Sequence, residues 1–114
     1  MRASSTGRVR PPRGQHFLVN AGTIRKILDA LGPGEGETVV EVGPGRGALT
    51  RPLLDMGVRV LAFEIDPVLA ARLSAELSER ALFVETEDAL RADVAGALGR
   101  IGSEPPVPLV GNLP

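Results

Sequence analysis

Cysteine, tryptophan and tyrosine are absent from this 114-residue sequence, and histidine occurs once. Without cysteine there is no disulfide framework, no thiolate nucleophile and no cysteine zinc site. A single histidine leaves little for any other metal centre, and no metal is expected. Three phenylalanines are the only aromatic residues, so leucine, valine and alanine must build the core. No apolar run approaches the roughly 20 residues of a membrane-spanning helix. The N-terminus also lacks the apolar segment of a secretory signal. These absences lead us to expect one small, soluble, cytoplasmic domain with no membrane partner.

The net charge of −1 conceals an asymmetry. Residues 1–14 carry Arg2, Arg8, Arg10 and Arg13 and no acid, while the remaining 9 basic and 14 acidic residues leave the body of the chain at −5. Serine, glycine and proline surround those arginines, so residues 1–14 read as a flexible basic arm. Such an arm either solubilises the chain or meets phosphates.

Residues 20–31 read as a helix, with Ile24, Ile27, Leu28 and Leu31 at helical spacing, Asn20 as cap and Gly32-Pro33 as stop. Residues 38–42 form a nearly all-apolar strand of the kind buried on both faces of a parallel sheet. A helix is expected over 48–56, turning Leu49, Leu53 and Leu54 inward, with Pro52 tolerated in its first turns. A second strand spans 58–65, and Pro67 opens a helix whose stripe is Leu69, Leu73 and Leu77. A third strand covers 81–84, a weaker helix 90–98, and a fourth strand 107–110. Strands alternating with helices predict a doubly wound α/β fold with right-handed crossovers. Four parallel strands make an incomplete sheet, whose open fourth edge predicts self-association.

In such folds ligands bind at the carboxyl ends of the strands. The first strand ends in EVGPGRGALT, where Gly43, Gly45 and Gly47 allow a tight turn and close approach by a ligand. The following helix is expected to present its first amides there. Gly43, Gly45 and Ala48 also satisfy the dinucleotide fingerprint, and Glu64, 21 residues after Gly43, fits the ribose-binding acid. The loop alone therefore does not separate a nicotinamide dinucleotide from another adenosine cofactor. Glu41 tilts the choice, because a carboxylate beside the loop repels a pyrophosphate yet can hold an amino group. S-adenosylmethionine has an ammonium, a sulfonium and no phosphate. Asp88, after the third strand, lies where it can accept from an adenine amine, although it also belongs to an acidic, solvated run.

The chain ends in Gly111-Asn112-Leu113-Pro114, after the fourth strand. In a strand order 3-2-1-4 this segment neighbours the glycine loop. An amide oxygen and a backbone carbonyl there can accept both N–H bonds of an adenine N6, making the nitrogen more pyramidal and aiming it at a methyl group. Together with Gly14-Gln15-His16-Phe17-Leu18, Glu41 to Gly47, Phe63-Glu64-Ile65-Asp66 and Glu87-Asp88-Ala89-Leu90, this set resembles the ribosomal RNA adenine N6,N6-dimethyltransferases over residues 13–114. The small-subunit branch of that family is the better match.

The resemblance implies a Rossmann-like class I S-adenosylmethionine-dependent methyltransferase fold and transfer of methyl groups to two adjacent adenosines near the 3′ end of small-subunit rRNA. It implies that His16 and Leu18 line the entry side of S-adenosylmethionine, that Gly43 and Gly45 approach its methionine part and that Glu64 holds its ribose. Ile65 would pack on the adenine, Asp88 would take the adenine amine, and Asn112, with Leu113 and Pro114, would meet both cofactor and target nitrogen. His16 stands where the family often has asparagine.

The family's last motif continues with an aromatic residue that stacks on the flipped base, and this chain stops one residue short of it. Residues 15–114 are therefore expected to be the cofactor-binding part of a larger enzyme, inactive alone and lacking the rest of the sheet and a small helical domain. The whole enzyme is expected to be a monomer. Three other readings compete: the sister enzyme that dimethylates large-subunit rRNA, a dinucleotide-dependent oxidoreductase domain, and a non-catalytic nucleic-acid-binding module.

Overall fold

The computed structural model describes residues 20–111. Helix α1 spans Ala21–Leu31, and Asn20 caps it by accepting from the Gly22 and Thr23 amides. Gly32, in the left-handed region at φ 55°, closes it. Strand β1 is Thr38–Val42, helix α2 Thr50–Asp55, strand β2 Arg59–Phe63 and helix α3 Pro67–Glu76. Strand β3 is Leu82–Glu85, helix α4 Val94–Arg100 and strand β4 Leu109–Gly111.

All pairings are parallel and the strand order is β3-β2-β1-β4, as expected. From β1 the chain steps outward through α2 to β2 and through α3 to β3. It then returns through α4 to the other side of β1. Right-handed crossovers place helices on opposite faces when the direction reverses. Accordingly Val39, Val60 and Ala62 meet α2 and α3, with the apolar stripe of α1 laid against them. Val40, Leu61 and Phe63 meet Ala97 and Leu98 of α4 on the opposite face. The reversal makes the carboxyl ends of β1 and β4 the natural ligand crevice.

Three elements start two or more residues later than the sequence reading, each for a local reason, and β2 ends at Phe63 rather than at 65. Helix α2 starts at Thr50 rather than 48, because the glycine loop continues in turns through Leu49. Helix α4 starts at Val94 rather than Leu90, because Asp93 caps it through the Gly96 amide while Asp88 holds residues 88–91 in a separate turn. Strand β4 starts at Leu109 rather than 107, since Pro106 and Pro108 have no N–H to give a ladder. Among the described residues no helix is long and apolar enough to cross a membrane.

Candidate functional site

The loop after β1 turns on glycines. Gly43, Gly45 and Gly47 have φ of 70°, 58° and 93°, all in the left-handed region that side chains resist. The Gly43 amide donates to the Phe63 carbonyl at 2.9 Å, continuing the β1–β2 ladder by one step, and the Gly47 amide donates to the Pro44 carbonyl at 2.9 Å. The three glycines are not equivalent. A Cβ on Gly47 would lie 2.9 Å from Leu73 Cδ1, so this glycine lets the loop pack on α3. A Cβ on Gly45 would meet nothing within 4 Å, so its open side faces space in which a ligand can lie. The Arg51 amide donates back to the Gly47 carbonyl, so this amide at the start of α2 is already satisfied within the chain.

Glu64 follows β2 immediately and is 6% exposed. Its Oε1 accepts the Gly45 amide and its Oε2 the Asp66 amide, both at 3.0 Å. A carboxylate oxygen has two lone-pair sites, so each still has capacity for a hydroxyl. Asp66 in turn caps α3 through the Val68 and Leu69 amides. The expected ribose acid is thus held rigidly, and it anchors the loop as well.

Glu41 is 3% exposed in the middle strand, and the fully buried Thr50 hydroxyl donates to its Oε1 at 2.6 Å. Burial pushes its carboxyl up from 4.5 to about 7; the Thr50 bond opposes that rise and the nearby Glu64 adds to it. The ion pairs of the described residues join Arg51 to Glu76, Arg80 to Asp55 and Arg100 to Glu85. None of them engages Glu41 or Glu64. Two buried acids therefore border the loop without an ion pair to any cationic side chain among the described residues, an arrangement that favours a cation brought in from outside. The charge on Glu41 near neutral pH depends on what arrives, which refines the view of it as a fixed anion.

Asp88 is half-buried beyond β3, where its Oδ1 accepts the Leu90 amide at 2.9 Å and its other oxygen remains available. Ile65, just after β2, is 68% exposed, consistent with a ligand-covering position rather than a core one. Leu90 is 89% exposed, two residues after Asp88, and lies in the turn before α4 rather than in the helix expected to begin with it. Gly111 is a second residue whose reason emerges here. A Cβ on it would lie 2.8 Å from the Val42 carbonyl oxygen, so glycine lets β4 close against β1. His16, Leu18, Asn112, Leu113 and Pro114 lie outside the described residues, as does the arm 1–14. No group of three or more His, Asp or Glu side chains able to hold a metal ion occurs among the described residues.

Known proteins resemble this chain in sequence and fold. A "Ribosomal RNA small subunit methyltransferase A" of Aromatoleum aromaticum is 46% identical over 96% of this chain, and one of Caulobacter vibrioides is 48% identical over 89%. The chain spans 39% and 38% of the lengths of those two relatives. Among solved structures, the 23S rRNA methyltransferase ErmE superposes with a TM-score of 0.68 at 35% identity, covering 86% of this chain and 37% of ErmE. A dimethyladenosine transferase from Plasmodium falciparum gives 0.68 at 25% identity, covering 87% of this chain and 34% of that one. The strands, helices and glycine loop are those of the class I methyltransferase fold. With its residues 7–114 matching the profile of the ribosomal RNA adenine dimethylases, the chain belongs to that family.

Proposed function

We propose that this chain forms the S-adenosylmethionine-binding part of an enzyme that dimethylates N6 of two adjacent adenosines near the 3′ end of small-subunit rRNA. The observation that carries the reading is the pair of buried acids, Glu41 and Glu64, bordering a glycine loop with no cation of their own among the described residues. A pyrophosphate is a poor guest for such a site, whereas a cationic adenosine cofactor without phosphate is a good one. The open side of Gly45 supplies the room.

S-adenosylmethionine would supply an electrophilic methyl group on a sulfonium. The chain's residues divide the remaining work. Glu64 offers its unused lone pairs to the ribose hydroxyls, and the free oxygen of Asp88 takes the adenine amine. Ile65 and Leu90 cover the adenine. Gly43 and Gly45 border the methionine part, whose ammonium Glu41 receives. His16 and Leu18 line the entry side. Asn112 Oδ1 and the Leu113 carbonyl accept the two N6 hydrogens of the target base, with Pro114 completing the motif. No strong base is needed, since the N6 proton becomes acidic as the nitrogen gains its methyl group.

The small-subunit target is supported by the relatives named for it, which are more similar to this chain than the 23S enzyme is. The arm 1–14 is proposed to meet RNA phosphates. Calorimetric titration with S-adenosylmethionine and with NAD tests the cofactor. Saturable binding of the first alone, abolished in Glu64→Ala, is expected; binding of NAD instead would overturn the reading.

A further inference from the structure

The acid in the middle strand has a feature that cofactor contact alone does not require. Glu41 lies in β1 with β2 and β4 on either side, and the described elements packed against it present little to balance a charge. From β2 it faces Ala62 and, one step beyond, Glu64; from β4 it faces Val110. From α2 it meets the Thr50 hydroxyl, while the adjacent Arg51 is turned away to Glu76 and the Arg46 carbonyl. From α1 this face of the sheet receives Ile24, Ile27, Leu28 and Leu31. One neutral donor and one neighbouring acid are thus the only ionisable or hydroxyl groups close to it among the described residues.

We infer that Glu41 and Thr50 form a proton-exchanging receptor, in which Glu41 carries a proton before the cofactor arrives and surrenders it to solvent when the cofactor's cationic group takes its place. The inference rests on the S-adenosylmethionine reading above. The balance is simple. The carboxyl O–H breaks, its proton leaves to buffer, and the resulting carboxylate is neutralised by the incoming ammonium. Burial and the like charge of Glu64 favour the acid form in the free chain, and a cation beside it reverses that preference. Thr50 is a positioning residue. Its hydroxyl donates to Oε1, so Oε2 is the oxygen without a hydrogen-bond partner among the described residues, and the exchange is assigned to it.

Two consequences follow from the linkage. Affinity for S-adenosylmethionine rises with pH, approaching tenfold per unit on the acid side, levels off near pH 7, and falls again above about pH 8 as the ligand's own amine loses its charge. Binding at pH 6.5 also releases a proton. The ligand's own amine, with an ordinary value near 8, is fully charged there and contributes none.

The experiment is calorimetric titration of this chain with S-adenosylmethionine at pH 6.5 in three buffers of different ionisation enthalpy. The slope of observed against buffer enthalpy counts the protons. Roughly 0.8 proton released per cofactor is expected for the wild type, and none for Glu41→Gln. Thr50→Val removes the bond that favours the carboxylate, so its proton-release profile should move to higher pH, whereas Thr50→Ser should retain the wild-type profile. Should Glu41→Gln fail to fold by circular dichroism, the Thr50 pair carries the test. Binding without proton release in the wild type, or an unshifted profile in Thr50→Val, overturns the inference and leaves the cofactor reading standing. No binding of S-adenosylmethionine in any buffer overturns both.

Discussion

Glu64 Oε1 accepts the Gly45 amide at 3.0 Å, so the acid that ends β2 also holds the loop that follows β1. One side chain thereby couples loop geometry to ligand binding. Glu64→Ala leaves the Gly45 and Asp66 amides without their acceptor, and a loss of about 1–3 kcal/mol of stability is expected. Glu64→Gln keeps an acceptor for only one of the two amides and should fall between. Urea denaturation measures the stability and calorimetry the affinity; an affinity loss with unchanged stability would show that the tie to Gly45 is unimportant.

Glu41 gives stability a pH dependence of unusual sign for a carboxylate. Its folded value, about 7, lies above the unfolded 4.5. Its favourable contribution is therefore complete below pH 4.5 and lost as pH rises through 7. The swing amounts to about 3 kcal/mol. Glu41→Gln does not titrate, so it should match the wild type near pH 4.5 and exceed it in stability at pH 8. Equal denaturation midpoints at pH 8 would mean that the carboxylate is better solvated than its burial implies.

Two glycines in one loop should respond differently to the same substitution. Gly47→Ala places a methyl against Leu73 and Arg51 at a backbone angle unfavourable to alanine, and a loss of more than about 1 kcal/mol is expected. Gly45→Ala suffers only the backbone strain, about 1 kcal/mol, because nothing crowds the new methyl. That methyl does enter the space proposed for the ligand, so Gly45→Ala should lower cofactor affinity by more than its effect on stability suggests. Thermal denaturation and titration of both variants separate the two roles.

Ile65 and Leu90 are large apolar side chains exposed in the segments that follow the neighbouring strands β2 and β3. Replacing either with serine should change stability by less than about 0.5 kcal/mol. If they cover the adenine, each replacement should weaken cofactor binding by roughly 1 kcal/mol, several-fold in affinity. Unaltered binding in the double variant would remove both from the site.

Much of this molecule was legible residue by residue. The helical spacing of Ile24, Ile27, Leu28 and Leu31 behind Asn20, the apolar run of β1 and Pro67 at the start of α3 are statements about neighbours a few positions apart. Local sterics and capping impose them. The alternation of those elements led to the right sheet order, because crossover handedness leaves few alternatives. The glycine loop and Glu64 were also singled out from the sequence, and the fold brings them together through the Gly45 amide. The starts of α2, α4 and β4 were misplaced where short-range competition decided: a loop turning through Leu49, Asp93 capping in place of Asp88, and prolines without N–H groups.

Other features depended on which residues the parallel register brings together. Pairing Glu41 with Ala62 and Val110 buries it, and packing α2 on that face brings Thr50, 9 residues away in sequence, to its carboxyl. The same register sets Glu64, 23 positions later, beside it. The residue types and their order establish the family. The protonation of Glu41, the tie between Glu64 and Gly45 and the unequal roles of the glycines arise only when distant segments exclude water together, because the cost of a buried charge is a property of its surroundings and not of its position in the chain.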